Sequence, residues 1–227
     1  MKKTPNQVQN SQVIEEKLLE RIKLCKLPPL QRRSLPFECY WEDSILIQEQ
    51  KLIFSNQWLG LGRADRLETP GEYEVFELCG QALVLIRDQD KILRLYANTC
   101  RHRGAKLLDG TGQCQAISCP FHGWTYTLDG NLKFAKTMSE NPNFDFSEHS
   151  LIEYKLKELQ GFLFAFLGNQ PTDLDSQLGD FSELHQPWSL NELITTRREV
   201  FEVQCNWKAF LDVFNEYYHL NNVHPTS

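Results

Sequence analysis

The sequence predicts an α+β protein, in which a small antiparallel β domain lies between a helical N-terminal segment and the start of a second, α+β domain. Near the N-terminus, apolar residues recur at helical spacing. From about Leu59 to Leu167, short β-rich runs alternate with turn residues, as in small antiparallel β domains. A further helical pattern follows close to the C-terminus. These observations divide the chain into residues 1–58, 59–170 and 171–227.

The composition is typical of a globular protein and excludes several classes of partner. The 227 residues are 41% hydrophobic and carry a net charge of -6, without a basic run that could follow a phosphate backbone. We therefore expect no nucleic acid and, because no apolar run approaches roughly 18 residues, no membrane span. The N-terminal MKKTPNQVQNSQ lacks the apolar stretch of a signal peptide, which favours a cytoplasmic location. Seven cysteines, an odd number without a secretion signal, favour metal ligands or buried thiols over disulfides.

The N-terminal segment is predicted to contain two helices. The first covers residues 13–25, where apolar side chains recur every three or four residues: Ile14, Leu18, Ile22 and Cys25. Pro28 and Pro29 follow and cannot continue a helix. The second helix is predicted from Asp43 to Phe54.

The β domain is predicted from its runs and turns. The runs are YEVFEL, ALVLIRD, ILRLYAN, WTYTL, NLKF, LIEYKL and GFLFAFL, with Asp129-Gly130 as the turn between WTYTL and NLKF. The acidic stretch QPTDLDSQLGDFSELHQPW then indicates a connector. After it, ITTRREVFEVQ predicts a strand and Asn206 to Leu220 a helix.

Two short motifs inside the β domain predict a metal site. Cys100-Arg-His102 and Cys119-Pro-Phe-His122 stand sixteen residues apart, on loops bounded by strands, and a glycine follows each motif. A single Cys-x-His motif most simply occurs by coincidence. Two such motifs, each followed by glycine, favour a metal site. A zinc site with two cysteines and two histidines is the serious alternative.

The stretches CRHRGA and CPFHGW resemble the two ligand loops of the Rieske iron–sulfur proteins. The resemblance implies a [2Fe–2S] cluster, with Cys100 and Cys119 on one iron and His102 and His122 on the other. The similar respiratory proteins carry an extra cysteine in each loop, joined as a disulfide, where this sequence has Ala105 and Phe121. Trp124 also replaces the hydroxyl residue that hydrogen-bonds the cluster in those proteins. Fewer hydrogen bonds to the cluster sulfur predict a midpoint potential near the low end of the Rieske range of roughly -150 to +300 mV. The other five cysteines are expected to be small, mostly buried hydrophobes: Cys25, Cys39, Cys79, Cys114 and Cys205.

The final stretch, NWKAFLDVFNEYYHLNNVHPTS, combines an apolar stripe with polar residues. On one helix the stripe would contain Trp207, Phe210, Leu211, Phe214, Tyr217 and Tyr218. Asp212, Glu216 and His219 would share the opposite face, and the residues alone favour a solvated polar face. His224 lies ~140° around the helix from His219, so only a break before Pro225 could bring both imidazoles together.

The same stretch resembles the iron-binding helix of the Rieske non-haem iron oxygenases, which include aromatic-ring dioxygenase α-subunits and the choline and carnitine monooxygenases. The resemblance extends over nearly the whole chain, from WEDSILIQEQKLIFSNQW to E-x-x-H-x-x-x-x-H. It implies that His219 and His224 bind a mononuclear Fe(II), whose third, carboxylate ligand is not in this chain. Glu216 would be the catalytic bridging acid to His122 of a neighbouring subunit. Glutamate in place of the commoner aspartate is closer to the quaternary-amine monooxygenases.

The resemblance also implies a function and partners. The chain would be the α-subunit, truncated early in its catalytic domain, of an enzyme that hydroxylates or N-dealkylates a small organic substrate with O₂. An NAD(P)H-dependent reductase or ferredoxin would supply electrons, the full-length protein would be a homotrimer, and this chain alone would be inactive. Two alternatives stay open: a stand-alone Rieske ferredoxin-like electron carrier, and an inactive fragment of a split gene.

Overall fold

The structure is a computed structural model that describes residues 16–224, apart from the side chain of Ser139. Contacts between residues divide the chain into two units. The first unit is Glu49–Glu199. The second is built from the described parts of Met1–Gln48 and Val200–Ser227.

The Glu49–Glu199 unit contains two antiparallel sheets, which confirms the predicted β domain. The strands are β1 Trp58–Arg63, β2 Glu72–Leu78, β3 Gln81–Arg87, β4 Leu93–Ala97, β5 Thr111–Gln113, β6 Ile117–Ser118, β7 Thr125–Tyr126, β8 Leu132–Phe134, β9 Glu153–Leu159 and β10 Phe162–Phe166. Seven of them form a sheet in the order β1-β10-β9-β4-β3-β2-β5, and β6-β7-β8 form the smaller sheet.

The central strand β3 is apolar on both faces because both faces are covered. Successive side chains of a strand point to opposite sides. Val84 and Ile86 therefore pack in one core with Cys100 and Cys119, whereas Leu83 and Leu85 pack in a second core on the other side. The candidate ligand cysteines are thus part of the core of the domain.

The predicted Asp129-Gly130 turn is confirmed, and it joins β7 to β8. Gly130 has a φ of 85°, which favours glycine. A Cβ at this position would lie 2.7 Å from Cε1 of the fully buried Tyr96. Both the backbone conformation and the close contact therefore require glycine at the turn.

The helices are short, and their bounds refine the predictions. They are α1 at residues 16–23, α2 Glu38–Trp41, α3 Asp43–Leu52, α4 Leu174–Leu178, α5 Phe181–His185, α6 Trp207–Phe214 and α7 Leu220–Val223. Residues 13–15 of the first predicted helix lie outside the described residues. Among the helices of residues 16–224, none has both the length and the apolar character that crossing a membrane requires.

The prediction of a strand in ITTRREVFEVQ was wrong, because this stretch forms no regular secondary structure. Its first residues bond to side chains of the β domain instead. The Thr195 backbone N–H donates to the Asp65 carboxylate at 2.6 Å, and Arg198 pairs with the buried Glu74 at 2.7 Å. Partners of this kind hold the stretch in place without forming the backbone ladder of a strand.

The five cysteines outside the two motifs are less buried than predicted. Cys39 is buried, Cys25, Cys79 and Cys114 are partly buried, and Cys205 is exposed.

Candidate metal centres

The two candidate ligand loops, residues 100–105 and 119–124, have the same hydrogen-bond pattern. In the first, the Cys100 N–H donates to the Ala105 carbonyl at 2.8 Å. In the second, the Cys119 N–H donates to the Trp124 carbonyl, also at 2.8 Å. Each cysteine carbonyl accepts at 3.0 Å from the glycine four residues later. Two separate stretches of sequence therefore fold into equivalent turns.

The glycine of each loop is required by its backbone conformation. Gly104 has a φ of 73° and Gly123 a φ of 70°, a region that other residues rarely adopt. A Cβ on Gly123 would meet nothing within 4 Å, so the limit is the conformation and not the space. These are the glycines that follow the two metal motifs in the sequence.

The loops place the two predicted ligand cysteines in one core and the two predicted ligand histidines next to each other. Cys100 and Cys119 are buried, only 3% and 4% exposed. The rings of His102 and His122 lie with their centroids 4.7 Å apart. Both histidines line a cleft of about 470 Å³, together with Phe121, Trp124, Lys136, Thr137 and Met138.

The burial and the lowered pKa of the His102 imidazole are those expected of a metal ligand. Its Nδ1 atom is buried and has no hydrogen-bond partner. Burial lowers the pKa of His102, and the neighbouring His122 and Arg103 lower it further. A neutral imidazole with a buried, unpartnered nitrogen is the form that binds a metal.

The donor set fits two irons better than one ion. Among residues 16–224, no three His, Cys, Asp or Glu side chains form a group that could hold a single metal ion. A Rieske-type cluster needs only two protein ligands at each iron, two thiolates at one and two imidazoles at the other. Two buried thiols in one core and two adjacent imidazoles are the residue types that such a set needs.

The C-terminal helix ends earlier than predicted. The Asn206 side chain accepts from the Lys208 N–H at 3.0 Å and caps α6, but the helix stops at Phe214. The predicted continuous helix to Leu220 was therefore wrong. Asp212 does not join Glu216 and His219, since it accepts a 2.5 Å hydrogen bond from the Tyr40 hydroxyl.

Glu216 and His219 contact each other in the turn that follows α6. Glu216 Oε1 lies 2.5 Å from His219 Nδ1, and the other carboxylate oxygen accepts from the Tyr218 N–H. The bond to His219 holds the pKa of Glu216 below its usual range. With Nδ1 engaged by a carboxylate, Nε2 of His219 is the nitrogen left for a metal, a common arrangement around metal-bound histidines.

His219 and His224 flank α7, and their ring centroids are 5.8 Å apart. A short helix between the histidines, and not a continuation of α6, thus brings the two imidazoles together. Most of the predicted apolar stripe is exposed: Phe210, Leu211, Phe214, Tyr217 and Tyr218.

Comparison with known proteins identifies both parts of the chain that contain these candidate residues. Residues 57–150 match the Rieske [2Fe–2S] domain, and residues 190–227 match the catalytic domain of the ring-hydroxylating α-subunits. The chain belongs to the Rieske oxygenase α-subunits. The Rieske domain implies a [2Fe–2S] cluster, and the catalytic domain of this family uses a mononuclear iron.

Several relatives within the Rieske oxygenases are similar over most of this chain. The carnitine monooxygenase oxygenase subunit of Acinetobacter pittii is 33% identical over 195 residues, 85% of this chain and 53% of the relative. The glycine betaine monooxygenase oxygenase subunit of Chromohalobacter salexigens is 30% identical over 85% of this chain and 43% of the relative. This chain therefore spans about half the length of the curated relatives it matches.

A solved Rieske oxygenase has a similar fold. The quaternary ammonium Rieske monooxygenase CntA, in complex with L-carnitine, superposes with a TM-score of 0.77 at 33% identity. The superposition covers 84% of this chain and 55% of CntA. A second structure of such a monooxygenase, described with carnitine oxidation and inter-subunit electron transfer, gives a TM-score of 0.78.

Tyr126 is a site residue that the sequence analysis missed. Its hydroxyl accepts from the Arg101 N–H at 3.0 Å and lies 3.4 Å from Cys100 Sγ, so its proton is available to the sulfur. Burial and the contact with Cys100 raise the pKa of Tyr126, which keeps the hydroxyl protonated. Tyr126 is two residues after Trp124, and strand alternation in GWTYTL could have suggested that both face the same side.

We expect Tyr126→Phe to lower the midpoint potential of the Rieske cluster. A hydrogen bond to the thiolate stabilises the reduced, more negative state more than the oxidised state. The expected decrease is a few tens of millivolts, up to roughly 60 mV, which corresponds to a tenfold change in a one-electron equilibrium. Redox titration by circular dichroism measures the change. Tyr154→Phe, at a half-buried tyrosine of the same domain, is the control, and an equal shift there would contradict the assignment.

Proposed function

We propose that this chain carries the electron-transfer domain and part of the iron site of a monooxygenase that acts on quaternary ammonium compounds. The observation that carries the proposal is the coexistence of two independent sites. One is the Cys100, His102, Cys119 and His122 set, and the other is the Glu216–His219–His224 arrangement. An electron carrier alone needs only the first.

The four loop residues would hold the [2Fe–2S] cluster. Cys100 and Cys119 would bind one iron from the apolar side, where burial excludes water from the thiolates. His102 and His122 would bind the other iron from the cleft side. When bound, the cluster supplies one-electron transfer, and the mononuclear iron supplies O₂ activation.

His219 and His224 would be two ligands of the mononuclear Fe(II), with a carboxylate as the third. Glu216 would fix the ring orientation of His219 through Nδ1 and provide an anionic acceptor for His122 of a neighbouring subunit. A head-to-tail contact of this kind can close into a ring, and the resemblance to the Rieske oxygenases is the reason to infer a homotrimer. An NAD(P)H-dependent reductase or a ferredoxin would be the electron donor.

The domain organisation follows from these roles. We infer that residues 1–58 and 171–227 belong to the catalytic half and that residues 59–170 are the Rieske domain. The unit built from the described parts of Met1–Gln48 and Val200–Ser227 supports a shared domain for the two outer segments, whereas residues 49–58 and 171–199 cluster with the β domain.

The substrate class rests on the relatives. Those compared above are named for carnitine and glycine betaine, and CntA is a quaternary ammonium monooxygenase. They give no support to an aromatic-hydrocarbon substrate or to dioxygenation. A trimethylammonium compound with a carboxylate is therefore the favoured substrate.

The test is turnover in a chimaera that joins the remaining half of the A. pittii subunit after residue 227 and contains both metal centres by iron and sulfide analysis. With NADH and a reductase, we expect O₂-dependent consumption of carnitine or glycine betaine, and none in its Cys119→Ala variant. Consumption of naphthalene instead would overturn the substrate class. Reduction of the cluster without consumption of any substrate would favour the electron-carrier alternative.

A further inference from the structure

We propose that Trp124 is a positioning residue that braces the two ligand loops against each other and fixes the ring plane of His102. The inference rests on the proposed cluster and extends it to a residue that binds no iron. Trp124 belongs to the second ligand loop, and His102 belongs to the first. Their contact therefore crosses from one loop to the other.

The geometry of the contact is that of a stack. The two ring planes are 11° apart and the centroids are 4.7 Å apart, within the range of favourable aromatic pairs. Trp124 is only 4% exposed, and its own carbonyl closes the second loop by accepting from Cys119. The indole is thus held by the loop on which half of the cluster ligands lie.

A third segment fixes Trp124 from another side. Phe144 and His149 both meet the indole edge-to-face, at 5.7 Å and 5.6 Å between centroids. Phe144 and His149 in turn stack on each other at 4.4 Å. With rings on more than one side, the indole has little freedom to rotate, so it can act as a rigid surface for His102.

The stack of Trp124 on His102 connects the two ligand loops, which have no disulfide between them. At Ala105 and Phe121, the similar respiratory proteins have cysteines that form a disulfide. Phe121 is 63% exposed. Among the ring contacts of residues 16–224, its one partner is His122 of the same loop, with 3.9 Å between the ring centroids. The buried indole, which connects one loop to the other, is better placed to replace the disulfide.

The test compares holoprotein variants that remove or keep the stacking face. Trp124→Leu removes the face, and Trp124→Phe keeps one. The matched control is Trp188→Leu, at an exposed tryptophan that lies beside a different histidine, His185, with 5.9 Å between centroids. The readouts are the EPR spectrum of the reduced cluster, with its histidine nitrogen couplings, and the rate of iron release to a chelator.

We expect Trp124→Leu to displace the g values and one histidine nitrogen coupling, and to release iron on the order of tenfold faster, as the loss of an aromatic contact implies. Trp124→Phe should restore most of the wild-type spectrum, and Trp188→Leu should leave it unchanged. A role in packing alone would lower the melting temperature without altering the spectrum of the cluster that remains. If Trp124→Leu does not fold, Phe144→Leu is used in its place. We expect it to displace the g values and the histidine nitrogen coupling in the same direction but by less.

Unchanged couplings and an unchanged release rate in the folded variant would overturn the brace. That result is distinguishable from failure of the proposed function, in which the wild-type protein itself would show no Rieske-type spectrum.

Discussion

Cys119→Ala should abolish the visible chromophore of the anaerobically purified protein. The loss of one thiolate leaves an iron with an open coordination position, and no other cysteine is available in the second ligand loop. We expect essentially complete loss of acid-labile sulfide together with the colour. Absorption spectroscopy with iron and sulfide analysis measures both.

Cys114→Ala is the matched control for that variant. Cys114 is a partly buried thiol that packs against the same core as Cys119 but lies outside both ligand loops. We expect it to keep wild-type colour and iron content. If Cys119→Ala retained the chromophore, or if both variants lost it equally, the assignment of Cys119 as a ligand would be wrong.

Glu216→Gln should weaken metal binding by the two C-terminal histidines by roughly 10- to 100-fold, the usual effect of changing a hydrogen-bond partner of a metal-bound histidine. The amide keeps the shape of the side chain but removes the anionic acceptor that lies 2.5 Å from His219 Nδ1. Co(II), titrated at neutral pH and followed by its visible absorption, is the probe. Because the pKa of Glu216 is lowered, its carboxylate stays ionised there, and the bond is lost only when the pH falls through that lowered pKa.

The control for the glutamate variant is Glu202→Gln, at an exposed glutamate of the same unit. We expect it to bind Co(II) as the wild-type chain does. Equal affinity in Glu216→Gln would show that the carboxylate does not hold His219 for a metal.

The β domain and its ligand loops could be predicted because their signals are local. Alternating apolar residues, the Asp129-Gly130 turn and the glycine after each metal motif each reflect the conformation of a few adjacent residues. The predicted turn and strands then form, the two ligand cysteines share one core, and the two histidine rings are adjacent.

The parts that were missed depend on contacts between distant residues. Tyr126 contacts Cys100 across twenty-six residues of the chain, and the strand alternation in GWTYTL indicates only the side that Tyr126 faces, not this contact. The stretch from Ile194 looks like a strand by composition, but Asp65 and Glu74 bind it through side chains. The apolar stripe of α6 continues in the sequence beyond Phe214, whereas Glu216 bonds to the Tyr218 N–H and to His219 within a turn.

The central claim is that two cysteines and two histidines of this chain hold one two-iron cluster, with both imidazoles at the same iron. The most direct test is pulsed EPR of the reduced protein, labelled with ¹⁵N only in histidine, together with metal analysis. We predict two iron atoms and two sulfides per chain, with two distinct histidine nitrogen couplings, and the loss of one coupling when His122 is replaced by cysteine. One zinc per chain without sulfide, or a reduced cluster without any histidine nitrogen coupling, would contradict the claim.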